Sequence, residues 1–134
     1  MTRRRLLQIW AVPAPLVLAD HAQDLVRGKL RTGAAPAVEA PGGIRTTLVT
    51  DKSSARVLVD RRLEGLDVEV SGRQIDPGRF EIGPFHLSPV RVIRDGKRLY
   101  ITYWCETCSI RSYFPGLCVC CWEDTQLDLR ERLD

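Results

Sequence analysis

The chain has 134 residues, of which 44% are hydrophobic and 28% charged, and this composition argues against a disordered protein. That length suits one domain, or one domain with a small appendage. The formal net charge of +3 belongs to the N-terminus, where residues 1–19 contain Arg3, Arg4 and Arg5 and no acidic residue. The remaining residues hold 17 basic and 17 acidic side chains, so they give no indication of an anionic partner such as nucleic acid.

The N-terminal segment has the pattern of an export signal. The three arginines are followed by an uncharged run, residues 6–19, which is shorter than the roughly 20 residues that cross a bilayer. A positively charged start, a short apolar core and small residues at the cut are typical of a cleavable signal peptide. Val17 and Ala19 predict cleavage after Ala19, with cleavage after Ala22 as the alternative.

The first residues also resemble a known class of signal. Thr2-Arg3-Arg4-Arg5-Leu6-Leu7-Gln8 is similar to the bacterial twin-arginine signal, in which Ser or Thr and two arginines precede an apolar pair and a lysine. The resemblance gives Arg3 and Arg4 the role of the twin arginines and implies a periplasmic or secreted protein that is transported already folded. The alternative is the N-terminal helix of a cytoplasmic protein.

The middle of the chain has the pattern of short β-strands. Residues 33–43 are rich in Pro and Gly and predict a loop. Around this loop the residues are β-branched or alternate between apolar and polar, and no convincing helical period is present. The expected strands are residues 24–32, 44–50, 55–60, 66–71 and 79–82.

Five short strands at this spacing predict an all-β fold, as a small barrel or sandwich. Residues 63–72, followed by a polar turn and residues 79–82, resemble the latter half of an oligonucleotide/oligosaccharide-binding (OB) barrel. The resemblance implies an OB-like domain over residues 23–89, after a helical signal segment.

A β-hairpin is expected next. Residues 90–93 and 98–104 flank Asp95-Gly96, a pair that suits a two-residue type I′ turn. The second arm leads directly to Cys105, so the hairpin and the cysteines are expected to form one unit over residues 90–134.

All five cysteines lie between positions 105 and 121. Disulfides in secreted domains are usually spread over the fold, whereas a tight cluster is typical of a metal site. Cys105 and Cys108 are separated by two residues, and two pairs with this spacing can supply four thiolates at the corners of a tetrahedron. The second pair is most simply Cys118 and Cys121; Cys120 is then spare, although it is also an alternative ligand.

This pattern resembles a zinc ribbon over residues 100–129, and the resemblance implies a structural zinc ion. The sequence departs from that pattern because no glycine follows Cys108 or Cys121 and because a fifth thiol is present. Two other interpretations stay open: a rubredoxin-like iron site, and two disulfides with one free thiol. Trp104 and Trp122, which flank the cysteines, are expected to pack over the site.

No arrangement of residues indicates catalysis. The sequence has no Gly-rich phosphate loop and no nucleophile with a partner base. We therefore expect an exported, non-enzymatic binding or interaction module whose partner is a protein or a small ligand, with no transmembrane span in the mature form. One alternative is a cytoplasmic nucleic-acid binder that stacks bases on Tyr113, Phe114 and Trp122 beside Arg111. The other is a redox or metal-handling protein that uses Cys120.

Overall fold

The structure is a computed structural model that describes residues 23–134. The predicted signal segment at residues 1–19 lies outside the described residues. Within residues 23–134 no helix is long and apolar enough to cross a membrane. The strands are β1 (Asp24–Arg31), β2 (Ala37–Glu39), β3 (Arg45–Val49), β4 (Asp67–Asp76), β5 (Arg79–Ile82), β6 (Val90–Arg94), β7 (Lys97–Cys105), β8 (Ile110–Ser112) and β9 (Gln126–Arg130). The helix α1 is Lys52–Leu58, and short 3₁₀ turns occur at Arg61–Leu63 and Phe85–Leu87.

Five strands close into a barrel. The order around it is β1-β2-β3-β5-β4, and β4 then pairs with β1 to complete the circle. The β3–β5 pair is parallel and the other neighbours are antiparallel. The prediction of a mostly β chain with a small barrel is confirmed.

The barrel interior is filled by aliphatic residues and one phenylalanine. Alternation along β4 points Val68 and Val70 inward, as the sequence predicts, and Phe80 and Ile82 of β5 join them. The remaining buried members of the core are Leu30, Val38, Leu48, Val57, Leu58, Leu63, Val92 and Leu99.

The predicted strand at residues 55–60 is wrong, because most of this segment belongs to helix α1. Asp51 caps the helix, since its carboxylate accepts a 2.7 Å hydrogen bond from the backbone N–H of Ser54. The residues that α1 buries are Ser54, Val57 and Leu58, which share one helical face. The β-branched residues of this segment resembled a strand, while the Asp51 cap and the buried spacing were the helical signals.

The fifth barrel strand comes from the segment that was predicted to be a loop. Strand β2 is only three residues long, and its residues Ala37 and Val38 are each 1% exposed. It pairs with both β1 and β3. The expected number of five barrel strands was therefore correct, although the loop at residues 33–43 and the strand at residues 55–60 were assigned wrongly. Strand β2 was missed because a three-residue strand among Pro and Gly carries no periodic signal.

Strand β7 connects the barrel to the C-terminal residues. Its first residues form the predicted hairpin with β6, and the positive φ angles of Asp95 (53°) and Gly96 (74°) fit the expected type I′ turn. Strand β6 also pairs with β4 of the barrel. The later residues of β7 pair with β8 on one side and β9 on the other. The division at residue 89 stays a prediction.

Barrel closure at β4 leaves no room for a side chain at Gly72. A Cβ added there would lie 2.9 Å from the backbone nitrogen of Gly83 and closer still to the carbonyl oxygen of Glu81. We expect Gly72→Ala to lower the free energy of unfolding by about 3 kcal/mol, because both neighbours are backbone atoms, one in β5 and one directly after it. Urea unfolding followed by circular dichroism measures this change.

Gly78→Ala is the matched control, since the nearest atom to its added Cβ lies 3.8 Å away. It should change the free energy of unfolding by less than about 1 kcal/mol. Equal effects of the two substitutions would contradict the packing argument.

Candidate metal centre

Two turns bring four of the five cysteines to one point. The first cysteine turn (residues 105–109) follows β7, and the second cysteine turn (residues 118–122) precedes β9. The sulfur atoms of Cys105, Cys108, Cys118 and Cys121 all lie within 4.8 Å of one another. Those of Cys105 and Cys121 are 3.5 Å apart although the residues are 16 positions apart in the chain. The structure therefore joins the two spaced pairs that the sequence indicated.

Backbone N–H groups point at the first sulfur of each turn. The Cys105 sulfur accepts from the backbone N–H of Cys108 at 3.5 Å, and the Cys118 sulfur accepts from that of Cys120 at 3.4 Å. Hydrogen bonds from Cys121 and Cys120 lower the pKa of Cys118 to about 7. The second cysteine turn thus favours the thiolate form of Cys118, and the thiolate is the form that binds metal.

The residue after each cysteine pair adopts a left-handed backbone. Ser109 has a φ angle of 52° and Trp122 one of 62°. These are the positions at which the sequence lacks the usual glycine, so the turns keep the left-handed conformation without it. Because Trp122 follows Cys121 as Ser109 follows Cys108, the matching geometry supports Cys118 and Cys121 as the second pair.

Cys120 lies at the edge of this cluster. Its side chain is exposed, and it is not among the four cysteines whose sulfurs converge. The pKa of Cys108 is raised, chiefly by its hydrogen bond with the Cys120 thiol and secondly by burial. The fifth thiol is thus a neighbour of the cluster, and its role as the spare cysteine stays a prediction.

The sulfur positions fit a tetrahedral ion. With metal–sulfur bonds of about 2.3 Å, the corners of a tetrahedron are about 3.8 Å apart. The Cys105–Cys121 separation of 3.5 Å and the upper bound of 4.8 Å for the other pairs are compatible with that spacing. The five cysteines are free thiols in the structure. Four thiolates so close together repel one another strongly, and a divalent cation among them removes that cost. The cluster can therefore hold one metal ion, and soft thiolate ligands suit zinc or iron.

The two tryptophans that flank the cluster have different surroundings. Trp104 is half-buried, and the guanidinium of Arg111 lies 5.0 Å from the centre of its ring. Arg111 in turn pairs with Asp128 at 2.8 Å. Trp122 is 75% exposed, so the expectation that it packs over the site is wrong.

Polar contacts fasten β7 to the barrel just before the first cysteine turn. Tyr103 is fully buried, and its hydroxyl donates to Asp60 at 2.8 Å. Burial raises the pKa of Tyr103 well above its usual range. Arg62 donates to Asp60 and, at 2.9 Å, to the carbonyl oxygen of Thr125 beside the second cysteine turn. The cysteine turns are thereby held against the barrel.

An aromatic contact makes a second connection. The rings of Phe85 and Phe114 stack with centroids 4.9 Å apart, and the guanidinium of Arg56 covers Phe114 at 3.9 Å. Phe85 belongs to the 3₁₀ turn before β6, and Arg56 belongs to α1. No local pattern in the sequence marks Phe85, Arg56 or Asp60, because contacts between distant segments leave none.

Glu69 of β4 is buried on the outside of the barrel. Its alternation with the inward-facing Val68 and Val70 would by itself place it in solvent, but Glu69 is only 5% exposed. Arg27 of β1 and Arg98 of β7 both pair with it. Its role is structural, since it joins three strands on the outside of the barrel.

Among the described residues, no histidine belongs to the cluster. His86 is exposed in the 3₁₀ turn Phe85–Leu87, and His21 lies outside the described residues. Comparisons with protein-family models, curated proteins and solved structures gave no match. The proposed function therefore rests on the residues of the cluster.

The left-handed position after Cys108 gives a test of the turn geometry. We expect Ser109→Gly to raise the free energy of unfolding by about 1 kcal/mol, because glycine adopts positive φ without the steric cost that serine bears there. Thermal unfolding of the metal-loaded protein measures the change.

Ser53→Gly is the matched control, since Ser53 lies within α1 and glycine weakens helices. The same chemical change should there lower stability by about 0.5 kcal/mol. A loss of stability in Ser109→Gly would contradict the left-handed assignment.

Proposed function

We propose that the protein is an exported, non-enzymatic binding module whose C-terminal part is held in shape by a structural zinc ion. The ligands are Cys105, Cys108, Cys118 and Cys121. The observation that carries this proposal is the convergence of these four sulfur atoms from two separate turns.

A closed set of four thiolates favours a structural metal over a catalytic one. Catalytic zinc keeps an open position for water or substrate, whereas structural sites use four protein ligands. Zinc is preferred to iron because the Cys-Pro-x-Cys-Gly sequence of rubredoxin-like sites is absent. Metal is preferred to disulfides because all four sulfurs meet at one point instead of forming two separate pairs.

The cysteine turns need such an ion, since they contain little apolar core of their own. Between residues 105 and 124 the buried side chains are those of Cys105 and Cys118. Zinc binding in small domains contributes about 10–16 kcal/mol, which equals or exceeds the stability of a typical domain. The ion is therefore the main source of order in the two turns.

Strand connectivity supports an OB-like barrel followed by a zinc-ribbon-like unit. The barrel has the order β1-β2-β3-β5-β4 with a parallel β3–β5 pair, and α1 lies between β3 and β4. The cysteine turns lie at the ends of antiparallel strands β7, β8 and β9, as in a zinc ribbon. Small barrels of the OB type bind ligands on their surface, which supports a binding role.

A nucleic-acid role has less support than a protein or small-ligand partner. Of the residues proposed to stack bases, Phe114 already stacks on Phe85 beneath Arg56. Arg111 is paired with Asp128. Residues 20–134 also have no net positive charge, whereas such proteins usually carry an excess of basic residues.

Serine substitutions test the metal assignment. Each of Cys105→Ser, Cys108→Ser, Cys118→Ser and Cys121→Ser should abolish binding of one zinc equivalent and unfold the C-terminal strands, because three thiolates leave the cation under-coordinated. Native mass spectrometry gives the metal content and identity, and amide hydrogen exchange of β8 and β9 reports their order.

Cys120→Ser is the matched control and should retain one zinc ion with unchanged exchange in β8 and β9. Release of zinc by Cys120→Ser alone would overturn the ligand assignment. An ordered, metal-free protein with paired sulfurs would overturn the zinc site itself.

Substitution of the two arginines tests export. We expect Arg3→Lys combined with Arg4→Lys to retain the full-length chain in the cytoplasm, because the twin-arginine pathway requires both guanidinium groups. Arg5→Lys is the control and should leave export unchanged. Fractionation followed by intact-mass measurement shows the compartment and whether the chain begins at Asp20. Unaltered export of the double variant would argue against this pathway.

A further inference from the structure

Exposed apolar side chains are concentrated around the second cysteine turn. Within residues 23–134, twelve large hydrophobic side chains are exposed, and five of them fall in the thirteen positions from 110 to 122. Three lie in or beside the second cysteine turn: Val119 at 87%, Trp122 at 75% and Leu117 at 55% exposed. The Leu117–Asp124 bridge and the Cys118–Glu123 backbone hydrogen bond keep these three residues on one short hairpin. Exposed apolar side chains that lie together mark interaction sites more often than scattered single residues do.

Trp122 is the most informative of these residues. Its left-handed backbone would suit glycine better, by about 1–2 kcal/mol. Its ring lies mostly in solvent, so packing within the chain does not repay that cost. The backbone N–H of Trp122 donates to the carbonyl oxygen of Cys118 at 3.0 Å, and this bond holds Val119 and Trp122 on one tight turn. A strained position occupied by an exposed aromatic residue indicates a role outside the fold.

The surroundings of the turn are acidic. Glu106, Glu123 and Asp124 are exposed, and the structure gives none of them an ion-pair partner among residues 23–134. The only basic residue between positions 105 and 124 is Arg111, which already pairs with Asp128. Arg62, which reaches Thr125 beside the second cysteine turn, already pairs with Asp60. Four thiolates around a divalent cation add a net charge of about −2. The exposed apolar side chains therefore lie close in the chain to carboxylates that have no ion-pair partner among the described residues.

We propose that the surface formed by Leu117, Val119 and Trp122 docks a basic segment of a partner protein that carries arginine and aliphatic side chains. The exposed indole of Trp122 takes the guanidinium by a cation–π contact, and the carboxylates of Glu106, Glu123 and Asp124 supply the matching charge. Val119 and Leu117 contact the aliphatic residues. This inference deepens the proposed binding role but does not depend on which metal the cysteines hold.

Charge disfavours the other occupants of this surface. A second copy of the chain would bring the same acidic surface against itself in a symmetric dimer, and like charges repel. An anionic membrane surface would be repelled by the same carboxylates. A basic polypeptide is attracted by both the charge and the aromatic ring.

A peptide titration tests the proposal. The probe is a twelve-residue synthetic peptide of arginine and leucine, and its counterpart has glutamate in place of every arginine. Each is titrated into the ¹⁵N-labelled protein as recovered from the producing cell, and amide shifts map the contact. We expect the arginine peptide to perturb residues 117–124 with an affinity that falls as salt rises, and the glutamate peptide to have no effect.

Trp122→Gly provides a variant in which loss of binding cannot be attributed to unfolding. It removes the ring and relieves the left-handed strain, so it should raise the unfolding temperature while weakening peptide binding about tenfold. Ile44→Ser is the control, since Ile44 is 67% exposed in the loop before β3, and it should leave the affinity unchanged.

The proposal would be overturned if Trp122→Gly left the peptide affinity unchanged or if the two peptides bound equally well. It would also be overturned if the protein self-associated and Trp122→Gly abolished that self-association. Metal content, measured on the same samples, tests the zinc site separately. An ordered, metal-free protein that still binds the arginine peptide through Trp122 would remove the zinc proposal and keep this one.

Discussion

The meeting of four cysteine sulfurs within 4.8 Å is the constraint on which the C-terminal third depends. Two turns that are far apart in sequence must hold fixed positions for these sulfurs to converge. Backbone N–H groups point at the sulfurs of Cys105 and Cys118, and left-handed residues at Ser109 and Trp122 reverse the chain after each pair. A cation at this point offsets the repulsion among thiolates in a segment with almost no apolar core. The proposed zinc ion therefore acts as the core of the two turns.

Strand β7 transmits this constraint to the rest of the molecule. Its first residues belong to the sheet that continues from the barrel, and its last residue is Cys105 itself. Between them, the buried Tyr103 bonds to Asp60 beside the barrel, and Arg62 reaches the carbonyl oxygen of Thr125. The cysteine turns are thus anchored on a rigid element, and a surface carried by such turns is presented in a fixed geometry. Preorganisation of that kind lowers the entropic cost of binding a partner.

The cysteines, Glu69 and Trp122 have different roles. The cysteines shape the turns, and the buried Glu69 pairs with two arginines and so links β4 to β1 and β7. The exposed Trp122 is available to contact a partner. Trp122 bears backbone strain without being buried, so the fold alone does not explain why tryptophan occupies this position. A module that presents one aromatic residue in an acidic setting would recognise short basic segments of other proteins.

Local pattern was sufficient to predict the alternating strands β4 and β5, the Asp95-Gly96 hairpin and the cysteine pairs, because each is specified by residues close together in the chain. The barrel strand β2 and helix α1 were assigned wrongly from the sequence: β2 is too short to show a period, and the β-branched residues of α1 imitate a strand. Only the tertiary structure decided which four sulfurs converge, that Glu69 is buried and that Trp122 is exposed. Those properties depend on the pairing of distant strands, which no short stretch of sequence encodes.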